Sequence, residues 1–92
     1  MKKEGSWENI SYILGSKHRK NILKLLGNPK TPTQLKDETG LHFNSVSRTL
    51  NELVKKGFAE CLNPKQKLIR FYKISTKGKS LLNDIEKLDK SK

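Results

Sequence analysis

The sequence predicts one mainly α-helical domain that carries a small β-hairpin. Several short stretches repeat apolar residues at three- and four-residue spacing, and residues that cap helices bound them. Later in the chain, two runs rich in aromatic and β-branched residues flank a turn that contains Asn63 and Pro64. Because 92 residues leave no room for a second hydrophobic core, we expect residues 1–92 to form a single domain.

Two helices are predicted at the start of the chain. The first follows a polar segment, residues 1–6, which we expect to be disordered, as we do residues 89–92 at the other end. Gly15 either breaks or bends this helix, and the sequence alone leaves both alternatives open. Ser16 is a suitable N-cap for the second helix, which we expect over residues 17–26.

A pair of helices joined by a glycine turn follows. Thr31 and Gln34 have the spacing of a capping box, in which side-chain oxygens accept hydrogen bonds from backbone N–H groups at the helix start. Pro32 lies at the first helical position, where proline is tolerated. Gly40 stands where a left-handed residue would end this short helix, and the next helix begins near Phe43. Two such helices around a tight turn form a helix-turn-helix.

The second helix of this pair, residues 43–56, has two different faces. One is an apolar stripe to which we assign Phe43, because its angle matches, and Gly57 is expected to end the helix. The opposite face carries side-chain types that hydrogen-bond base edges and phosphates in a DNA major groove. The stripe comprises Phe43, Val46, Leu50, Leu53 and Val54, and the polar face comprises Asn44, Ser45, Arg48, Asn51 and Lys55.

The hairpin is predicted from residues 58–62 and 68–74, with its turn at 63–67. Six basic residues and no acidic one lie between Lys65 and Lys79, so the region is strongly cationic. A hairpin of this kind beside a helix-turn-helix is called a wing, and Ser75 is suited to cap a last helix after it. The predicted fold is therefore a winged helix-turn-helix, with a three-helix core, a wing and terminal helices.

The charge balance indicates a polyanionic partner. The chain has 20 Lys and Arg against 9 Asp and Glu, a net charge of +11, which favours a nucleic acid over a membrane surface. No apolar run approaches the ~20 residues of a membrane span, and no signal-peptide segment is evident. The single cysteine, Cys61, excludes an internal disulfide and fits a reducing compartment, so we expect a cytoplasmic protein.

Two motifs and the order of elements resemble the winged helix-turn-helix transcription regulators of the MarR/ArsR type, especially the small archaeal ones. The motifs are TPTQLKDETGLHFNSVSRTLNELVKKGFAE and RFYKISTKGKSLL, within residues 31–82. The resemblance implies a dimeric, sequence-specific regulator that binds double-stranded DNA, with its recognition helix in the major groove and the wing, 63–70, on the backbone or minor groove. Ser75 replaces the usual threonine, and His42 replaces a small polar residue, so contacts at the start of the recognition helix are expected to differ.

The candidate DNA contacts lie on the recognition helix and the wing. Arg48 is suited to a bidentate contact with guanine or a phosphate; the alternative is an ion pair with Glu52, worth only ~0.3–0.5 kcal/mol on a helix surface. For the other side chains the alternative is simple solvation. Ser47 can instead form a hydrogen bond within its own helix, and His42 can instead cap the helix. The set is His42, Asn44, Ser45, Ser47, Arg48, Asn51 and Lys55 on the helix, with Lys65, Gln66, Lys67 and Arg70 on the wing. Phosphate contact and solvation are equally open for Lys17, Arg19 and Lys20.

The apolar faces of the two terminal helices have two interpretations. They complete the core of one chain, or they pair with a second chain across a two-fold axis, as the resemblance implies. Because an amphipathic helix without a partner in its own chain leaves an apolar patch, which usually marks an interface, we expect a homodimer. The residues assigned to this interface are Trp7, Ile10, Ile13, Leu14, Leu81, Leu82, Ile85 and Leu88.

No arrangement for catalysis or metal binding is evident in the sequence. It has no Ser/His/Asp, Cys/His or paired-carboxylate set and no Gly-rich phosphate loop, and its two histidines are isolated. Neither Cys-x-Cys nor Asp-x-His occurs. We therefore expect no enzyme activity, metal, cofactor or small-molecule substrate, and we interpret Cys61 as a small apolar residue rather than a redox switch.

Two other functions are compatible with the same residues. A non-specific architectural DNA-binding protein would show little sequence preference, whereas a specific regulator exceeds its own non-specific binding by ~10³ or more. A winged-helix interaction module would bind acidic protein or RNA instead and would not bind duplex DNA at moderate salt.

Overall fold

Five helices and one two-stranded antiparallel sheet make up the described part of the chain. The computed structural model describes residues 2–90, with side chains for residues 7–88. In chain order the elements are α1 (Lys2–Leu14), α2 (Lys17–Leu25), α3 (Pro32–Thr39), α4 (Phe43–Lys55), β1 (Ala59–Cys61), β2 (Tyr72–Ile74) and α5 (Thr76–Lys90). The predicted architecture, mainly α-helical with a small β-hairpin, is confirmed.

Helices α1 and α5 extend further towards the chain ends than their apolar residues indicate. Residues 2–6 and 89–90, expected to be disordered, belong to these helices. Lysine is frequent in both segments, and it is a good helix former. The remaining residues of that prediction, 1 and 91–92, lie outside the described residues.

The structure decides between the two alternatives at Gly15: the helix breaks. α1 ends at Leu14, and the extended backbone of Ser16, with φ −146° and ψ 124°, precedes α2. The Ser16 hydroxyl accepts a hydrogen bond from the Arg19 backbone N–H at 3.4 Å, as expected of an N-cap.

The predicted helix-turn-helix is confirmed down to its capping residues. The Thr31 hydroxyl accepts from the Gln34 backbone N–H at 3.1 Å, and the Gln34 side-chain oxygen accepts from the Thr31 N–H at 2.9 Å. Gly40 ends α3 with φ 75°, a left-handed conformation that glycine adopts without steric cost. Leu41 then packs against the core before α4 begins at Phe43.

The hairpin pairs Ala59 with Ile74 and Cys61 with Tyr72 in antiparallel register. On its other edge, Tyr72 exchanges two backbone hydrogen bonds with Lys30, at 2.8 and 2.9 Å, so the segment before α3 is held beside the wing. The strands are shorter than the predicted 58–62 and 68–74. The last backbone hydrogen bond between the two segments joins the Leu62 N–H to the Phe71 carbonyl. Beyond it, side-chain hydrogen bonds of Asn63 hold the loop instead.

One core unites all five helices and the hairpin, and its members are 8% exposed or less. They are Ile10, Ile13, Ile22, Leu23, Leu26, Leu35, Val46, Leu50, Leu53, Phe58, Ala59, Tyr72, Ile74, Leu81 and Ile85. Four residues assigned to a dimer interface, Ile10, Ile13, Leu81 and Ile85, therefore belong to the core of the single chain. This corrects the expectation for those four, because α1 and α5 pack against each other within the chain.

The start of α5 is fixed against the end of α4 by Ser75. Its hydroxyl donates to the Gly57 carbonyl at 2.6 Å and accepts from the Gly78 N–H at 3.0 Å, while its own N–H donates to the Phe58 carbonyl at 2.9 Å. Ser75 is therefore the cap that the sequence predicts. Gly78 lies so close to Phe58 that a β-carbon there would stand 2.1 Å from the Phe58 carbonyl oxygen.

Candidate nucleic-acid interface

Burial of one side of α4 turns its polar side outward. Val46, Leu50 and Leu53 are buried, so residues on the opposite side of the helix face solvent. All seven predicted contacts of this region lie at the surface. His42, Asn44, Arg48, Asn51 and Lys55 are exposed, and Ser45 and Ser47 are half-buried.

Arg48 does not pair with Glu52. Among the described residues, its exposed guanidinium has no hydrogen bond or ion pair. The Glu52 carboxylate instead accepts from the Tyr12 hydroxyl at 3.1 Å and lies 3.6 Å from the Arg19 guanidinium. Contacts with α1 and α2 thus hold the Glu52 carboxylate, which could otherwise form an ion pair with Arg48.

Tyr12 organises this junction between α1, α2 and α4. The Arg19 guanidinium lies 4.1 Å from the centre of the Tyr12 ring and donates to the Tyr12 carbonyl at 2.7 Å, and the Lys56 ammonium lies 4.5 Å from the ring centre. Burial, then the hydrogen bond to Glu52, raises the pKa of Tyr12 above its usual 10.0, so the hydroxyl stays a donor at neutral pH. The Arg19 side chain is therefore not simply solvated, one of the two alternatives left open for it. It holds α1, α2 and α4 together.

His42 precedes α4 without capping it through its side chain. Its backbone carbonyl accepts from the N–H groups of Ser45 and Val46, and its imidazole is exposed. The His42 side chain therefore does not cap α4. Its exposed imidazole is free to contact DNA.

The wing presents its four predicted contacts on a loop that Asn63 ties together. The Asn63 amide donates to the Ile69 carbonyl at 2.9 Å and accepts from the Phe71 N–H at 2.8 Å, and its backbone carbonyl accepts from the Gln66 N–H at 3.0 Å. Arg70 also braces the loop through a 2.7 Å hydrogen bond from Nε to the Gln66 carbonyl. Residues 65–67 and 70 are exposed, so the basic side chains lie at the surface of an ordered loop.

A cleft separates the wing from the starts of α3 and α4. Its volume is about 460 Å³, and it is open to solvent. It brings Ser47 together with Lys67 and Arg70, which the sequence assigned to two separate regions. The lining residues are Thr31, Pro32, Thr33, Phe43, Ser47, Lys67, Leu68, Ile69, Arg70 and Tyr72.

The predicted apolar stripe of α4 is not buried at its two ends. Phe43, assigned to the core, is 48% exposed, and Val54, the other end of the stripe, is also exposed. The angular position of Phe43 is as expected. However, helical side chains point towards the N-terminus of their helix, so the side chain of this first residue extends beyond the buried part of the stripe. The stripe is therefore buried only where neighbouring elements cover it.

In the described part of the chain, no group of three or more His, Cys, Asp or Glu side chains is placed to hold a metal ion. Cys61 is half-buried, with its sulfur 3.9 Å from the Asn63 side-chain oxygen. None of the described helices is both long and apolar enough to cross a membrane.

Asn63→Ala is expected to free the wing loop without unfolding the domain. It removes both side-chain hydrogen bonds that replace the ladder, at a cost of about 1–2 kcal/mol for the two exposed bonds. Amide hydrogen exchange at Phe71 should accelerate about tenfold or more, while exchange in α4 stays near its original rate. Asn63→Asp is the matched control, because it keeps the acceptor for the Phe71 N–H; equal exchange at Phe71 in both variants and the parent would contradict this role.

The structure is similar to solved regulators of one fold class. The operator-bound MarR C80S mutant from E. coli superimposes with a TM-score of 0.72 and 22% identity, over 94% of this chain and 66% of that one. Wild-type apo MarR from E. coli gives 0.73 and 25%, over 95% and 67%. The adhesin competence repressor AdcR from Streptococcus pyogenes gives 0.70 and 16%, over 98% and 72%. No protein-family model matches the sequence, and a comparison with curated proteins gives no match.

The fold and the exposed polar helix beside a basic hairpin define a winged helix-turn-helix domain. The chain shares this fold with the MarR structures over nearly all of its length, as the sequence motifs predict. The chain spans about two thirds of the length of the MarR chains that it matches.

Proposed function

We propose that the chain is a sequence-specific DNA-binding transcription regulator that acts as a homodimer in the cytoplasm. The observation that carries the proposal is the polar face of α4, which lies at the surface, contains an Arg48 free of partners among the described residues, and has a basic wing beside it. The net charge of +11 supplies the attraction to a polyanion. Similarity in fold to MarR, solved with operator DNA, supports the same partner.

The two parts of the surface take different tasks in this proposal. Arg48, with Asn44 and Asn51, contacts base edges in the major groove and selects the sequence. Lys65, Gln66, Lys67 and Arg70 contact the backbone or the minor groove and supply affinity that does not depend on sequence. Four further side chains border those that contact bases, and we assign them to contacts with the DNA backbone: His42, Ser45, Ser47 and Lys55.

The proposed dimer uses the residues of the terminal helices that are left at the surface. Trp7 and Leu14, seven residues apart, lie on the same side of α1 and are 60% and 48% exposed. Leu82 is half-buried and Leu88 is exposed on α5, which packs against α1. Such an apolar surface fits a second copy of the chain across a two-fold axis. Two recognition helices would then meet half-sites one helical turn apart, or a multiple of that.

A Trp7→Ser, Leu14→Ser double variant is expected to be monomeric. Loss of two central apolar contacts should weaken self-association by about 2 kcal/mol or more, roughly 30-fold in the dissociation constant. Sedimentation velocity over a concentration series measures the change. Leu62→Ser, an exposed apolar residue on the hairpin, is the control and should leave the mass unchanged. A parent chain that stays monomeric at high concentration would contradict the dimer.

Selection of bound duplexes from a random pool at physiological salt tests the function directly. A regulator should enrich a common, pseudo-palindromic sequence and bind it at least ~10³-fold more tightly than random duplex. Binding without enrichment would indicate an architectural DNA-binding protein. Absence of duplex binding would favour a protein or RNA interaction module.

A further inference from the structure

The cleft beside the wing has an apolar side that none of the proposed DNA contacts uses. Leu68, in the loop of the wing, is 93% exposed, and Ile69 next to it is 58% exposed. Both line the cleft together with Phe43 at the start of α4. Three large apolar side chains therefore face one solvent-filled space.

These side chains are held in place at the surface. Asn63 binds the Ile69 carbonyl and the Phe71 N–H, and Arg70 binds the Gln66 carbonyl, so the loop that carries Leu68 is braced on both sides. A loop fixed in this way presents an exposed leucine at a reduced entropic cost on binding. An exposed apolar side chain on an ordered loop is the kind of feature that inserts into or packs on a nucleic acid groove.

Cationic and polar donors alternate with the apolar residues around the cleft. Lys67 and Arg70 flank Leu68 and Ile69 in the chain, and Ser47 faces them from α4. A nucleic acid strand offers matching chemistry, with a phosphate on every nucleotide and an apolar sugar face between phosphates. A second copy of this chain does not match, because it would bring another net charge of +11 to the same basic cleft.

We propose that this cleft receives the sugar–phosphate backbone of one DNA strand, with Phe43, Leu68 and Ile69 packed on deoxyribose and Ser47, Lys67 and Arg70 bonded to phosphates. The inference rests on the proposed function: with α4 in the major groove and the wing at the neighbouring minor groove, the strand between the two grooves passes through the space between α4 and the wing. Leu68, the most exposed of these three apolar residues, then lies at the edge of the minor groove.

The test compares two neighbouring substitutions for their dependence on salt. Leu68→Ala removes apolar contact but no charge, so duplex affinity should fall about tenfold while the slope of log K against log salt is unchanged. Lys67→Ala removes one phosphate contact and should reduce the magnitude of that slope by about 0.9. Leu62→Ala, outside the cleft, should keep the parental affinity. Fluorescence anisotropy with a fixed duplex over 50–300 mM salt measures all four proteins.

Each outcome decides the inference. A Leu68→Ala affinity equal to that of the parent would overturn it while leaving the proposed function intact, because the parent still binds duplex. A change in sedimentation mass for Leu68→Ala would overturn it in favour of a self-association surface. A parent that binds no duplex at moderate salt would remove the proposed function and this inference together. Since Leu68 is almost fully exposed, its replacement does not threaten the fold.

Discussion

Gly78→Ala is expected to lower the free energy of unfolding by about 3 kcal/mol, which corresponds to a fall in melting temperature on the order of 15 °C. The added β-carbon would stand 2.1 Å from the Phe58 carbonyl oxygen and 2.8 Å from Ile74 Cγ1. Relief of this overlap requires α5 to move away from the hairpin, with loss of the hydrogen bonds that Ser75 makes to Gly57 and Phe58. The gain of about 1 kcal/mol in helix propensity from glycine to alanine offsets only part of the cost.

Gly40 provides the matched control for this prediction. A β-carbon there meets nothing within 4 Å, but the backbone is left-handed, with φ +75°. Gly40→Ala should therefore cost only about 1 kcal/mol, and Gly40→Asn less, because asparagine tolerates that conformation. Thermal unfolding followed by circular dichroism ranks the three variants. An equal loss for Gly78→Ala and Gly40→Ala would show that the close approach of α5 to Phe58 is not a constraint.

Arg48→Ala is expected to reduce discrimination between the selected duplex and a random duplex by on the order of 10- to 100-fold, the value of one bidentate contact with a base pair. No partner in the described part of the chain holds this side chain, since Tyr12 and Arg19 occupy Glu52. Its loss should therefore affect DNA binding and leave the stability of the free protein within about 0.5 kcal/mol. Competition binding with the two duplexes measures the ratio.

Two variants separate base recognition from charge in that experiment. Arg48→Lys keeps the positive charge but loses the planar fork, so it should lose discrimination while its salt dependence stays parental. Lys67→Ala should weaken both duplexes by the same factor. Identical behaviour of Arg48→Ala and Lys67→Ala on the two duplexes would contradict the proposed division between base and backbone contacts.

Local chemistry explains why much of the fold is predictable from this sequence. The Thr31–Gln34 capping box, the left-handed Gly40 and the Ser75 cap each involve residues a few positions apart, so spacing alone specifies them. The same holds for the buried and exposed sides of α4, which follow from helical periodicity. The helix-turn-helix and its polar surface were accordingly predicted with nearly correct boundaries.

The features that the sequence left open, or that needed correction, depend on contacts distant in sequence. The partner of Glu52 is Tyr12, 40 residues away, rather than Arg48 on the next turn of its own helix. Phe43 has the angle of a core residue, yet no element of the described chain covers it fully. Likewise, periodicity shows that α1 and α5 are amphipathic but not whether the apolar side faces the same chain or another one.

We propose that the polar side of α4 and the wing contact DNA. The most direct measurement is an NMR titration of the ¹⁵N-labelled chain with the selected duplex, following backbone amides. We expect the largest shifts at Asn44, Ser45, Arg48 and Asn51 and across residues 65–70, with little change in the buried half of α4. Shifts confined to α1 and α5, or no shifts at physiological salt, would contradict it.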